Sequence, residues 1–174
     1  MKRLLFLVPI VAFGALAVLF YSGLFLGPPS VLPSPLVGKP APEMALPALD
    51  NEAQGFVREE LGQGKPIIIN FWASWCAPCR IEHPTLEALA AKQGITLYGV
   101  DYKDDPQDAR KVLTELGNPF SRINHDKEGR VSIDWGVTGV PETFVIDSKG
   151  VIRVHYAGPL TEDILNRQIL PALK

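Results

Sequence analysis

The chain is poor in the residues that hold metals. Its 174 residues include two cysteines, two methionines and three histidines. The cysteines are Cys76 and Cys79, and there is no second Cys-x-x-C pair. A structural zinc site wants four ligands, so two more would have to come from His83, His125 and His155. Of these only His83 shares a helix face with the pair, and the others show no ligand spacing. Covalent haem attachment needs a histidine directly after the second cysteine, where Arg80 stands. A surplus of positive charge is missing too, since the whole chain carries a net charge of −2. Without Lys2 and Arg3, 15 basic residues face 19 acidic ones, a net −4. That balance argues against nucleic acid as a partner. Repeats and low-complexity tracts are absent, apart from one proline-rich stretch.

Charge is also absent from Leu4 to Leu26, a run of 23 residues. A helix of that length reaches roughly 35 Å, enough for a hydrocarbon core of about 30 Å. A cleaved signal peptide has a shorter apolar region followed by a small-residue cleavage site. Here Ala15 and Ala17 lie inside the run, and Gly27-Pro28-Pro29 follows it. An uncleaved anchor is therefore expected. Lys2 and Arg3 are the flanking charges, so residues 1–3 are expected to be cytoplasmic and the rest exported. No eukaryotic transit signature is present, which makes a bacterium and its periplasm the default. Residues 27–36 hold Pro28, Pro29, Pro33 and Pro35 without a charge and read as a semi-rigid spacer. The remaining 37–174 read as one domain.

Within that domain the prolines of Val37 to Asp50 limit it to edge or irregular strand. Phe56 to Leu61 reads as one helical turn. Ile67 to Phe71 is a continuous apolar run suited to a central strand covered on both faces. A helix is predicted from Arg80 to Ala91, with Leu86, Leu89 and Ala90 at helical spacing. Ile95 to Val100 is the next strand. Asp105-Pro106 caps a helix that runs to Leu116. Phe120 to Asn124 reads as a short strand and Arg130 to Trp135 as a short helix. Glu142 to Asp147 and Val151 to Tyr156 form a hairpin around Ser148-Lys149-Gly150. Thr161-Glu162-Asp163 opens a last helix. The order describes an α/β fold, a central mixed sheet with helices on both faces.

The cysteine pair sits where the first strand meets the first helix of this domain. Free backbone N–H groups at a helix start favour negative charge, and the thiolate is the reactive form of cysteine. Cys76 is thus the expected nucleophile. Cys79, three residues on, is expected to lie behind it, more buried, and to resolve a mixed disulfide. A disulfide closing so short a loop removes little chain entropy, so the pair is suited to cycling rather than stapling. Pro78 sets the turn and removes a donor. Trp75 offers a flat apolar shoulder beside the sulfur.

The run Asn70-Phe71-Trp72-Ala73-Ser74-Trp75-Cys76-Ala77-Pro78-Cys79 resembles the active site of the thioredoxin superfamily. With Gly136-Val137-Thr138-Gly139-Val140-Pro141-Glu142-Thr143-Phe144 and the N-terminal apolar run, the chain is similar to the CcmG/DsbE family. These are membrane-anchored periplasmic thiol:disulfide interchange proteins of cytochrome c biogenesis. The resemblance spans Val37 to Lys174 and implies a thioredoxin-like fold with no cofactor beyond the Cys76–Cys79 disulfide. It matches Pro141 to the superfamily's cis-proline, whose segment pairs with an extended substrate and blocks metal from the sulfurs, and it matches Pro84 to the kink of the active-site helix. Asn70 departs from thioredoxin's buried aspartate, as it does in this family. Glu82 and Glu142 match acidic positions around the family's active site, where a carboxylate opposes the Cys76 thiolate and favours reduction.

The resemblance implies reduction of a disulfide in apocytochrome c or in the maturation component that holds it. It also implies a DsbD/CcdA-type membrane electron donor and an inner-membrane address, and the anchored geometry points to a monomer. A general periplasmic reductase of the TlpA/ResA type is the runner-up. A copper-binding assembly chaperone using Cys76, Cys79 and a histidine is a reading of another class. An oxidant of the DsbA type would need a strongly stabilised thiolate, which acidic neighbours oppose.

Overall fold

β1 (Ile67–Trp72) is buried along its whole length, and the domain is layered on its two faces. The computed structural model describes residues 7–25 and 34–173. β1 pairs in parallel with β2 (Leu97–Tyr102), which pairs in parallel with β3 (Arg122–Asp126). On its other side β1 pairs antiparallel with β4 (Glu142–Ile146), which forms an antiparallel hairpin with β5 (Ile152–Ala157). The order β3-β2-β1-β4-β5 is a mixed five-stranded sheet.

Successive side chains of a strand point to opposite faces. Ile68 and Trp72 accordingly join one cluster, with Leu86, Leu89, Leu97, Val112, Val145 and Ile169. Ile67, Ile69 and Phe71 join another, with Met44, Phe56, Val100, Trp135 and Phe144. α2 (Ala77–Ala90) and α3 (Pro106–Leu116) contribute to the first cluster, as does the C-terminal segment. That segment starts as α5 (Glu162–Ile164), passes into a wide π-turn at Leu165–Ile169 and tightens to a 3₁₀ turn at Leu170–Leu173. The predicted caps are present. Asp105 accepts from the Gln107 N–H, and Thr161 accepts from the Ile164 N–H.

Among the described residues the second face is covered by the short helix α4 (Arg130–Asp134), a 3₁₀ turn and irregular chain. Trp135 fills it from the end of α4, edge-on to Phe144 with ring centres 5.2 Å apart. Its indole N–H donates to the Glu43 carbonyl and so ties down the N-terminal segment. That segment reaches both open edges of the sheet. Pro40 bridges to Val151 beside β5, and Ala48 bridges to Asn124 of β3. Unpaired strand edges invite association, and here one strap covers both. The 3₁₀ turn at Arg58–Glu60 lies where a helical turn is expected from sequence.

The chain divides into two units, residues 1–32 and 33–174. In the first, α1 (Leu7–Phe25) is a 19-residue uncharged helix. At 1.5 Å per residue it spans about 28 Å, a little less than a hydrocarbon core of about 30 Å. Among the described residues no helix is long and apolar enough to cross a membrane. The flanking Lys2 and Arg3, and residues 27–33 of the expected spacer, lie outside the described residues.

Asn124 shows what holds the strap. Its side chain is fully buried, accepting from the Phe56 N–H at 3.0 Å and donating to the Phe56 carbonyl at 2.8 Å. Asn124→Ala should cost about 1–3 kcal/mol, because both backbone groups lose their buried partner. Urea unfolding of wild type and variant measures this; a change within error would mean that the strap is held elsewhere.

Candidate active site

Cys76 is the N-cap of α2, with Ala77 and Pro78 as its first residues. Cys76 and Cys79 form a disulfide with Cα atoms 5.3 Å apart. The backbone N–H of Cys79 points at Cys76 Sγ over 3.1 Å. In the reduced protein the same N–H stabilises a thiolate there. Both cysteines are enclosed, 3 % exposed for Cys76 and 4 % for Cys79. The expected contrast in burial is therefore not seen. The reason is on the far side of the groove, where the cis peptide Val140–Pro141 brings the Val140 carbonyl to 3.5 Å from Cys76 Sγ. Trp75 is the exposed member of the site at 59 %. Its indole N–H donates to the Lys103 carbonyl, which fixes the ring. Pro84 lies inside α2.

Glu82 is on the buried side of α2, not the solvated one. Its neighbours on that side are Cys79, Leu86 and Leu89. Glu82 Oε1 accepts from Asn70 Nδ2 at 3.0 Å, and Oε2 accepts from the Leu160 N–H at 2.6 Å. Burial pushes its pKa up to about 7, against the opposing pull of those two bonds. Asn70 Nδ2 also reaches Thr143 Oγ1, while Asn70 Oδ1 is buried without a partner. Turning the amide over would present Oδ1 to a protonated Glu82, so Asn70 can serve both charge states. A cavity of about 10 Å³ open to the centre of a water-sized sphere lies here, lined among others by Asn70, Cys79, Glu82 and Phe120. That is about the room of one water molecule.

Glu142 faces the other way. It pairs in register with Phe71, whereas Asn70 pairs with Thr143, so the two acids lie on opposite faces of the sheet. Burial raises the Glu142 pKa, but bonds from His155, the Thr138 hydroxyl, and the Thr138 and Gly139 N–H groups outweigh it and lower the pKa overall. Glu142 thus fastens the 138–141 turn that presents Pro141. Phe144 stacks on His155 at 4.0 Å behind it.

The histidines are engaged elsewhere. His83 Nε2 meets the Gly117 carbonyl, His125 meets Asp101 and His155 meets Glu142. Among the described residues no three of His, Cys, Asp and Glu gather to hold a metal. Two partners of the site were not legible. The Leu160 N–H is backbone and leaves no pattern. Asp104, which accepts from both the N–H and the hydroxyl of Ser74, looks like any acid in a charged loop. Glu82 did leave a signal: three residues after Cys79 and four before Leu86, it falls on the apolar stripe of α2.

The profile of the AhpC/TSA family matches residues 37–155. The chain is 48 % identical over 145 residues to the thiol:disulfide interchange protein HelX of Rhodobacter capsulatus, covering 83 % of this chain and 81 % of that one. It is 43 % identical to the thiol:disulfide interchange protein DsbE of Escherichia coli K12, covering 98 % and 94 %. A crystal structure of a DsbE thiol:disulfide interchange protein from Chlorobium tepidum superposes with a TM-score of 0.68 at 31 % identity, covering 79 % of this chain and 98 % of that one. A thioredoxin-like sheet, a Cys-x-x-C disulfide at a helix start and these likenesses agree, and the chain belongs to the DsbE/HelX family of thiol:disulfide interchange proteins, disulfide oxidoreductases within the AhpC/TSA family.

Proposed function

We propose that the chain is a periplasmic disulfide reductant for apocytochrome c, or for the maturation component that holds it. The observation that carries the reading is the Cys79 N–H aimed at Cys76 Sγ, directly opposite the Val140–Pro141 peptide. Reduced Cys76 attacks one sulfur of the client disulfide, and the other client sulfur leaves as a thiolate. Cys79 then loses its proton, attacks Cys76 Sγ and releases the second client sulfur. Two electrons pass to the client, and the Cys76–Cys79 disulfide remains. Pro141 and its neighbours offer backbone to an extended client. Trp75 gives apolar contact, and Pro78 keeps the start of α2 in shape.

Glu82 is the group suited to take the Cys79 proton. It shares a cavity with Cys79 and titrates near neutral pH, which matches it to proton transfer. Asn70 stands where a buried acid would otherwise be, and moves that acid one layer up onto α2. A carboxylate so close to the pair also disfavours the thiolate form and makes the dithiol the better reductant. No cofactor beyond the two sulfurs is needed. Recharging requires a dithiol donor of the DsbD/CcdA type in the membrane. Residues 4–26 serve as the anchor, with residues 1–3 cytoplasmic and 27–36 as spacer before a monomeric domain at 37–174. The engagement of all three histidines disfavours the copper-chaperone reading.

Two outcomes are expected. Cys79→Ser should accumulate mixed disulfides at Cys76, and mass spectrometry of the trapped species from a periplasmic fraction should return apocytochrome c or a maturation component. A catch of unrelated proteins alone would favour the general reductase. The second concerns pH. Because burial raises the Glu82 pKa to about 7 from 4.5, its stabilising neutral form is held fully below pH 4.5. That contribution is lost as the pH rises to about 7. The unfolding free energy of the oxidised protein should therefore decline over that window, by on the order of 3 kcal/mol from this group. Glu82→Gln should remove that decline, and an unchanged slope in the variant would rule out a raised Glu82 pKa.

A further inference from the structure

Another buried acid takes no part in the exchange steps above. Asp101 is at the end of β2, fully buried, paired in register with Trp72 of β1 and with His125 of β3. Asp101 Oδ2 lies 2.7 Å from His125 Nδ1. Asp101 Oδ1 is buried and has no donor directed at it. Asp104, on the loop after β2, is in hydrogen-bonding contact with Asp101. Two carboxyl groups in that contact need a proton between them. An Oδ1 without a donor is where such a proton belongs, because a protonated oxygen becomes a donor itself.

Asp104 in turn grips the chain leading into the active site. Its carboxylate accepts from the Ser74 N–H and, at 2.8 Å, from the Ser74 hydroxyl. One residue earlier, Lys103 sits in the left-handed region (φ 48°), and its carbonyl accepts from the Trp75 indole. The loop after β2 therefore holds Ser74 and Trp75 together, immediately before Cys76. We propose that Asp101 is a positioning residue of the exchange site: its carboxyl keeps a proton on Oδ1, donates it to Asp104, and through Asp104 holds the Ser74–Trp75 limb against the cysteines.

The charges around Asp101 agree. From its own loop Asp104 and Asp105 act on it. His125 of β3 bonds it directly, and Asp126 and Lys127 act in turn on His125; from β1 its register partner is Trp72. Burial, then Asp104 and Asp105, push its pKa up to about 9. Burial also lowers the His125 pKa, so His125 is a neutral partner donating through Nδ1. Ionising Asp101 sends the shared proton to solvent and sets two carboxylates against each other. The weaker hold is then the one on Ser74.

Trp75 reports the event. It is the exposed indole, while Trp72 and Trp135 are buried at 3 % and 0 %, so acrylamide quenching of the full-length oxidised protein reads Trp75. No thiol titrates in that form, and no client is involved, so the experiment is independent of the proposed function. The quenching slope of wild type should step upward with a midpoint near pH 9. Asp101→Asn keeps an N–H for Asp104 and an oxygen for His125, and should stay at the low slope throughout. Asp104→Asn removes the charge that ionised Asp101 would repel, and should also show no step. Tyr102, 6.5 Å from Trp75, is present in all three proteins and cancels in the comparison. A wild type without a step, or the same step in either variant, overturns the proposal. The ratio of wild-type to Asp101→Asn rates of disulfide reduction by dithiothreitol should fall over the same pH range, and a constant ratio would overturn the link to exchange.

Discussion

β1 is buried on both faces and carries one amide side chain, Asn70, at its centre. That amide takes its partners from two other elements, Glu82 of α2 and Thr143 of β4. Glu82 completes its own set with the Leu160 N–H at the approach to the C-terminal segment. Three elements of the domain and the loop at Leu160 thus meet in one small polar cluster under an otherwise apolar layer. Buried polar groups without partners are costly, so this cluster fixes how α2 lies on the sheet. Cys79 lies on the same face of α2, one turn away, and its depth follows from the same constraint.

The two faces of the sheet divide the chemistry. On the α2 face, Asn70 and Glu82 share a cavity with Cys79, Asp101 lies level with Trp72, and burial raises the pKa of both acids. On the other face, Glu142 stays ionised because its own turn supplies donors, and its task is to hold the Pro141 segment in place. One residue of register along β4 separates a neutral acid's environment from an ionised one. Two glutamates that look equivalent in the sequence are therefore unlike in charge, surroundings and use.

Much of this could be read beforehand. The apolar run before the cysteines, the Asp105-Pro106 and Thr161 caps, and the turn at Ser148-Lys149-Gly150 all have local causes, and local causes leave patterns. Cys76 and Cys79 announced themselves by spacing, and Pro141 by likeness. Glu82 was half legible, because its helical phase puts it inside while its charge suggests outside. The pairing of Asp104 with Ser74 across 30 residues, the Asn124 grip on Phe56 and the covering of the second face by residues 34–57 depend on which strands become neighbours. No window of sequence carries that information.

The strap also decides where a pull would be felt. Any tension entering at residue 34 meets the edge of β5 first, where Gly38 and Ala41 donate to the Ile152 and Gly150 carbonyls and Ile152 donates to Lys39. These bonds lie at the rim of the sheet, and the strap then crosses under Trp135 before it reaches β3. A pull at residue 34 is thus absorbed by a zipper of replaceable rim bonds. The central strands that set the spacing between the disulfide and the Val140–Pro141 peptide are the last to be loaded, so a pull at the start of the domain leaves the site in tune.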